Sequence, residues 1–182
     1  MARVVVTEFI SLDGVVEDPG GSEDFEHGGW SFAFDRGDEG NEFKTVETMD
    51  ADAMLLGRVT YEGFAEAWPG RPGEFADRFN TMPKYVVSST LENPEWTNTT
   101  VLKGDVVEEV GKLDGQLIVH GSAQLVQTLL EHDLVDELRL MVFPVVLGKG
   151  KSLWGPTTDK KTFKLTEANT VGEGVQTLVL QR

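Results

Sequence analysis

Short runs of apolar, β-favouring residues alternate with stretches of helical spacing along this chain, and that alternation limits the possible folds more than any other feature. The clearest instance is residues 116–132. QLIVH at 116–120 predicts a strand and Gly121-Ser122 a turn. Ala123 to His132 then predicts a helix, with Leu125, Val126, Leu129 and Leu130 on one face. Ser122 stands where an N-cap belongs. RVVVTEFI at 3–10 is apolar on both faces, as a central strand is, and Ser11-Leu12-Asp13-Gly14 ends it. AMLLG at 53–57 and KYVVS at 84–88 predict two more strands, and Val101-Leu102 a short one. Helical stretches fall between them. These are Asp38 to Met49, with Phe43, Val46 and Met49 on one stripe; Val59 to Trp68, stopped by Pro69-Gly70; Glu74 to Thr81; and Asp105 to Leu113. From 135 to 147 the pattern alternates, with Leu138, Leu140 and Val142 on one side and Arg139, Met141 and Phe143 on the other. Pro144 implies an edge or a bulge there. Residues 162–171 and 175–181 predict a closing hairpin across Gly172-Glu173-Gly174. The expectation is an α/β fold with a mixed sheet and helices on both faces. No linker, repeat or composition break divides residues 1–182, which predicts one domain.

The absence of cysteine rules out disulfides, thiolate nucleophiles and Cys-based zinc sites, and fits a cytoplasmic protein. Met1-Ala2-Arg3 leads straight into the first strand, so a secretory leader is not expected, and no apolar stretch is long enough to span a bilayer. A formal charge of −15 repels phosphate backbones and argues against nucleic-acid binding. A small anionic ligand remains compatible with that charge, because salt screens a distant field over ~8–10 Å and a few local donors can outweigh it.

The chain has no G-x-G-x-x-G, and Gly150-Lys151-Ser152 lacks the earlier glycine of a P-loop because Val145 holds that place. Four other segments sit where strands end, the usual place for ligands in open α/β sheets. Gly57-Arg58-Val59-Thr60-Tyr61 offers helix-start amides, a hydroxyl and a guanidinium for phosphates; equally, it is a glycine turn with a solvated arginine. Ser88-Ser89-Thr90 offers hydroxyls to phosphate or ribose, or is plain turn chemistry. His120-Gly121-Ser122-Ala123-Gln124 lets a phosphate approach a helix start, or is a capped β-to-α turn. Leu147-Gly148-Lys149-Gly150-Lys151-Ser152-Leu153-Trp154 is a mobile loop near a site or a glycine bulge in a sheet edge with solvated lysines. His120 itself is a site residue or a buried structural one. Asp13 can orient a substrate or supply a proton, or can cap the turn before Gly14. Trp30 can cover a flat substrate or belong to the core. The acidic stretch containing Glu17, Asp18, Glu23, Asp24 and Glu26 reads as a solvated flap, or as a lid that closes over a site. No metal-ligand cluster stands out.

Taken together, these residues resemble a known family. Ser11-Leu12-Asp13-Gly14, Leu56-Gly57-Arg58-Val59-Thr60-Tyr61, Tyr85-Val86-Val87-Ser88-Ser89-Thr90, Ile118-Val119-His120-Gly121-Ser122 and Phe143-Pro144-Val145-Val146-Leu147-Gly148-Lys149-Gly150 occur in an order similar to that of the stand-alone dihydrofolate-reductase-like proteins. Those proteins are related to the C-terminal reductase domain of the bifunctional riboflavin-biosynthesis deaminase/reductase. The resemblance implies a central, mixed but mostly parallel sheet of about eight or nine strands with helices on both faces and a C-terminal antiparallel hairpin. It also implies NADPH across the strand ends, a small-molecule substrate and a homodimer. Carried over by position, it implies that Arg58 contacts the 2′-phosphate and Thr60 the pyrophosphate region, beside Gly57. Ser88 and Ser89 would lie near the adenosine, with Gly121, Ser122, Ala123 and Gln124 around the pyrophosphate and Val15 and Val16 near the nicotinamide. The carboxylate that true dihydrofolate reductases place on the helix before the Gly-Arg motif falls on Asn41, so folate is not the expected substrate. These 182 residues hold no H-x-E and P-C-x-x-C zinc deaminase ligands, so the bifunctional enzyme is not expected. The expectation is an NADPH-dependent reductase acting on a small heterocyclic or carbonyl compound, with a non-catalytic nucleotide- or small-molecule-binding relative as the alternative.

Overall fold

The computed structural model describes residues 1–182. Its strands are β1 (Arg3–Ser11), β2 (Ala53–Gly57), β3 (Lys84–Val87), β4 (Thr99–Leu102), β5 (Gln116–His120), β6 (Glu137–Phe143), β7 (Lys164–Val171) and β8 (Val175–Gln181). They form one eight-stranded sheet in the order β4-β3-β2-β5-β1-β6-β8-β7. Pairing is parallel from β4 through to β6, and β8 and β7 are antiparallel, as the hairpin pattern predicts. The helices are α1 (Gly37–Asp50), α2 (Arg58–Ala67), α3 (Glu74–Thr81), α4 (Val106–Gly111) and α5 (Ala123–Glu131). This is the mixed, mostly parallel α/β architecture of the dihydrofolate-reductase-like fold. No helix is long and apolar enough to cross a membrane.

Period-two alternation sends the residues of the central strands to opposite layers. Leu117 and Val119 of β5, with Val4 and Val6 of β1, pack against Leu125, Val126 and Leu129 of α5 and Val110 of α4. Ile118 points the other way, where Met54 and Leu56 of β2 meet Tyr61 of α2 and Phe79 of α3. A third apolar group, Trp30, Met141, Phe143, Val171 and Val175, fills the β6–β8 end of the sheet.

Two local expectations are corrected and a third holds in part. β6 is an interior strand lying between β1 and β8, and it stops at Phe143. Pro144, having no N–H for the ladder, terminates the strand rather than marking an edge. In α1 the buried positions are Gly40, Glu47 and Thr48, while Val46 is 44% exposed. The helix lays a polar stripe over β1, where Thr7 donates to Glu47 Oε1 (2.8 Å) and Lys44 donates to Thr7 Oγ1 (2.7 Å), so apolar spacing alone points to the wrong face. The acidic segment is solvated at Glu23, Asp24 and Glu26, as expected, but tied down at Glu17 and Asp18. Glu17 Oε2 accepts the Lys151 amide (2.8 Å), buried Asp18 accepts the Ser22 amide (2.6 Å), and the Trp30 indole donates to the Glu17 carbonyl (2.8 Å).

The parallel strands β3, β2, β5 and β1 end on the same edge of the sheet. After β2 the chain turns into α2 on one face, and after β5 it turns into α5 on the other. The crevice between those two exits is a topological switch point, where open α/β sheets collect their ligands.

Candidate active site

The turns after β2 and β5 are locked together. The Gly57 amide donates to Ser122 Oγ (2.9 Å), Ser122 Oγ donates to the His120 carbonyl (3.0 Å), and the Ser122 amide donates to Thr60 Oγ1 (3.0 Å). Ser122 therefore does not cap α5 with its side chain, as its position suggested; its hydroxyl bridges the two turns instead. Gly121 and Ser122 are successive left-handed residues, at φ 52° and 59°. A Cβ on Gly121 would stand 3.0 Å from Thr60 Oγ1, in a backbone conformation that favours glycine. The outcome is two helix starts, α2 at Arg58 and α5 at Ala123, side by side with no capping side chain on either. Their first-turn amides and positive dipole ends face the crevice, which is what an anion requires.

The other sequence-singled residues surround this crevice unevenly. Arg58 is about half exposed and its guanidinium rests on Glu62, one turn along α2, at 3.0 Å. Ser88 is buried and its hydroxyl accepts the Thr90 and Leu91 amides (3.2 and 2.9 Å), whereas Ser89 is exposed; both follow β3 on the same edge. Ala123 is half-buried and Gln124 exposed at the mouth. Val15 and Val16 are buried, and the turn carrying them is zipped to the loop after β6. The Val16 amide donates to the Lys151 carbonyl (2.9 Å), and the Leu153 amide to the Gly14 carbonyl (2.9 Å). Gly150, at φ 115°, allows that closeness: a Cβ there would lie 2.6 Å from Val15 Cγ1.

Two candidates take the structural alternative. Asp13 accepts from the Ser11 hydroxyl (2.6 Å), the Gly148 amide (2.8 Å) and the Leu147 amide (3.1 Å). Those donors, the Ser11 hydroxyl first, lower its pKa to about 2, so it carries no proton to give near neutrality and serves as a clamp between two loops. Trp30 is 6% exposed and stands edge-on to Phe143 at 5.5 Å, which makes it core rather than a cover for a substrate. The lysines of the 149–151 loop are not merely solvated: Lys149 pairs with Glu26, and Lys151 with Glu17 (3.6 Å).

One residue that sequence reasoning missed, Glu8, lies deeper, beside His120, which the sequence left open between a site and a buried structural role. β1 pairs with β5 only as far as Thr7 and His120, but continues to Ser11 against β6. From Glu8 onward the β5 side of β1 therefore carries no strand, and Glu8 lies level with Gly121. Glu8 is 5% exposed, with Oε1 lacking any partner. His120, 7% exposed, also has an unpartnered Nε2 and sits edge-on to Phe79 (5.1 Å) and Phe64 (6.0 Å). Burial, aided by the Lys44 charge, pushes its pKa well below the usual imidazole value, so the ring is neutral. The one available signal for Glu8 was a carboxylate inside the otherwise apolar strand RVVVTEFI.

A family model described as the RibD C-terminal domain matches residues 2–177. The chain belongs to the RibD C-terminal domain family. Among relatives of this RibD C-terminal domain protein, YyaP of Bacillus subtilis is 27% identical over 97% of this chain and 93% of its own. A putative riboflavin biosynthesis protein from Shewanella sp. PV-4 has the same fold, with a TM-score of 0.81, 22% identity and coverage of 100% and 99% of the two chains. Dihydrofolate reductase from Enterococcus faecalis, solved with NADP(H) and RAB-propyl, superposes with a TM-score of 0.57 at 13% identity, covering 99% of this chain and 96% of that one. Membership and fold together make this a reductase family.

Proposed function

We propose that this RibD C-terminal domain protein is an NADPH-dependent reductase that delivers hydride to a C=N or C=O group of a small, planar compound. The observation that carries the reading is the junction of the β2 and β5 turns, where two uncapped helix starts meet at the Gly57–Ser122 hydrogen bond. The residues present fit a dinucleotide. The first-turn amides of α5 from Ala123 onward and the Thr60 hydroxyl suit a diphosphate, and the Gly121 cradle is the space a Cβ would fill. Arg58, released from Glu62, suits a further phosphate at the mouth. Bound there, the dinucleotide supplies the hydride; the protein orients it and keeps water away. Val15 and Val16, buried under the 147–153 loop, suit the apolar surroundings that a nicotinamide end requires. No side chain is needed as a nucleophile. The similarity to a reductase solved with NADP(H) supports the choice of dinucleotide. A fluorescence titration tests the reading: NADPH is expected to bind saturably and more tightly than NADH, and no binding at millimolar cofactor would refute it.

A further inference from the structure

Only four buried side-chain polar atoms in the molecule lack a hydrogen-bond partner: Glu8 Oε1, Glu47 Oε2, Thr48 Oγ1 and His120 Nε2. All four residues belong to β1, α1 and β5, the elements that meet where β1 and β5 part company. A buried polar atom without a partner costs free energy, and such atoms persist where something else completes them. Glu8 is the one on β1 itself. It lies one residue past the last β1–β5 pair, level with Gly121, where β1 has lost its strand neighbour on that side. On the β6 side its register partner is the uncharged Leu140. The charged groups acting on it are Lys44 and Glu47 of α1, and neutral His120 ends the neighbouring strand.

We propose that Glu8 is a catalytic acid of this site, donating its carboxyl proton to the acceptor heteroatom as the neighbouring carbon takes the hydride. The inference rests on the dinucleotide reading above. The balance closes. The acceptor's carbon gains a hydride from the reduced nicotinamide, its C=N or C=O π pair moves to nitrogen or oxygen, and that atom takes the proton from Glu8. The substrate is reduced by two electrons and the dinucleotide is oxidised. Glu8 is left as a carboxylate facing the Gly121 amide and the Lys44 charge, and it recovers its proton from solvent. Burial favours the protonated acid, raising its pKa well above the ordinary carboxylate value against the pull of Lys44 and the Gly121 amide, and the Glu47 charge acts in the same direction as burial. Asp13 is ionised and committed to backbone amides, so it offers no rival proton.

Isotope-edited infrared spectroscopy of the full chain at neutral pH reads the proton directly. The wild type should show a protonated carboxylic-acid band that Glu8→Gln removes and that NADP⁺ displaces. An ionised Glu8, or a band unmoved by NADP⁺ that demonstrably binds, overturns the assignment while sparing the cofactor reading. Absence of NADPH binding in a parallel fluorescence titration overturns both. In turnover with a panel of ketones, cyclic imines and unsaturated N-heterocycles, Glu8→Gln should lose about 100-fold or more in rate, with NADPH affinity held within about threefold. A wild type that oxidises NADPH with none of them, or a Gln variant within about tenfold of it, also overturns the proposal. Should Glu8→Gln fail to fold, Glu8→Asp, which keeps the acid on a shorter arm, must shift the band and slow turnover.

Discussion

Replacing Arg58 by alanine isolates the one guanidinium at the mouth of the proposed groove. In the free protein that group rests on Glu62, an exposed pair one helical turn apart, at 3.0 Å. Such a pair contributes only about 0.3–0.5 kcal/mol. A charge-assisted contact to the 2′-phosphate of NADPH contributes about 1.5–3 kcal/mol. Binding exchanges one for the other, so the net loss on Arg58→Ala is about 1–2.5 kcal/mol, or ~5–60-fold in Kd. NADH lacks the 2′-phosphate, so its affinity should change by less than about twofold. Glu62→Gln removes the competitor and should tighten NADPH about twofold, leaving NADH unaffected. Fluorescence titrations of both cofactors against the three proteins, at one fixed ionic strength, give all six constants. Equal losses for NADPH and NADH, or no loss for either, would refute the assignment of Arg58 to the phosphate.

Gly121→Ala puts a methyl 3.0 Å from Thr60 Oγ1 at φ 52°; it should cost about 1–2 kcal/mol of stability in urea melts and weaken NADPH by roughly tenfold. Asp13→Asn exchanges an acceptor of two loop amides for a poorer one, so hydrogen exchange at Leu147 and Gly148 should quicken while NADPH affinity stays near wild type. His120, neutral when folded, takes up a proton more readily in the unfolded chain, whose ordinary value is 6.5. The unfolded state therefore binds more protons and stability falls as pH drops below that value; the drop should be shallower in His120→Leu, measured by denaturant melts across that range.

Much of the architecture was legible because it follows from periodicity. The run QLIVH and the four apolar residues of α5 could bury their faces only as a strand under a helix, and the Gly172–Gly174 turn could close only a hairpin. What spacing does not carry is polar burial. Lys84 ends fully buried because Asn80, Met82 and Thr97 turn their carbonyls onto its ammonium (2.8, 2.9 and 3.1 Å), and no local pattern announces that. Glu47 is a similar case: its partners Thr7 and Lys44 lie on a strand 40 residues away and on its own helix. The clustering of the Gly57 and Gly121 turns depended on β2 and β5 becoming neighbours, which is a matter of strand order. Asp13 and Trp30 were open between two roles because both depend on the 147–154 loop and on Phe143, remote in sequence. Glu8 was hidden by the same remoteness. A lone acid in a strand becomes meaningful only once the neighbouring strand is seen to stop beside it.

A crystal of the full chain soaked with NADPH is the most direct measurement. The account predicts density for the diphosphate against the amides of Ala123 and Gln124 and the Thr60 hydroxyl, with the nicotinamide beside Glu8 in the unpaired part of β1. Cofactor bound elsewhere on the molecule, or a well-diffracting soaked crystal with nothing in that crevice, would contradict it.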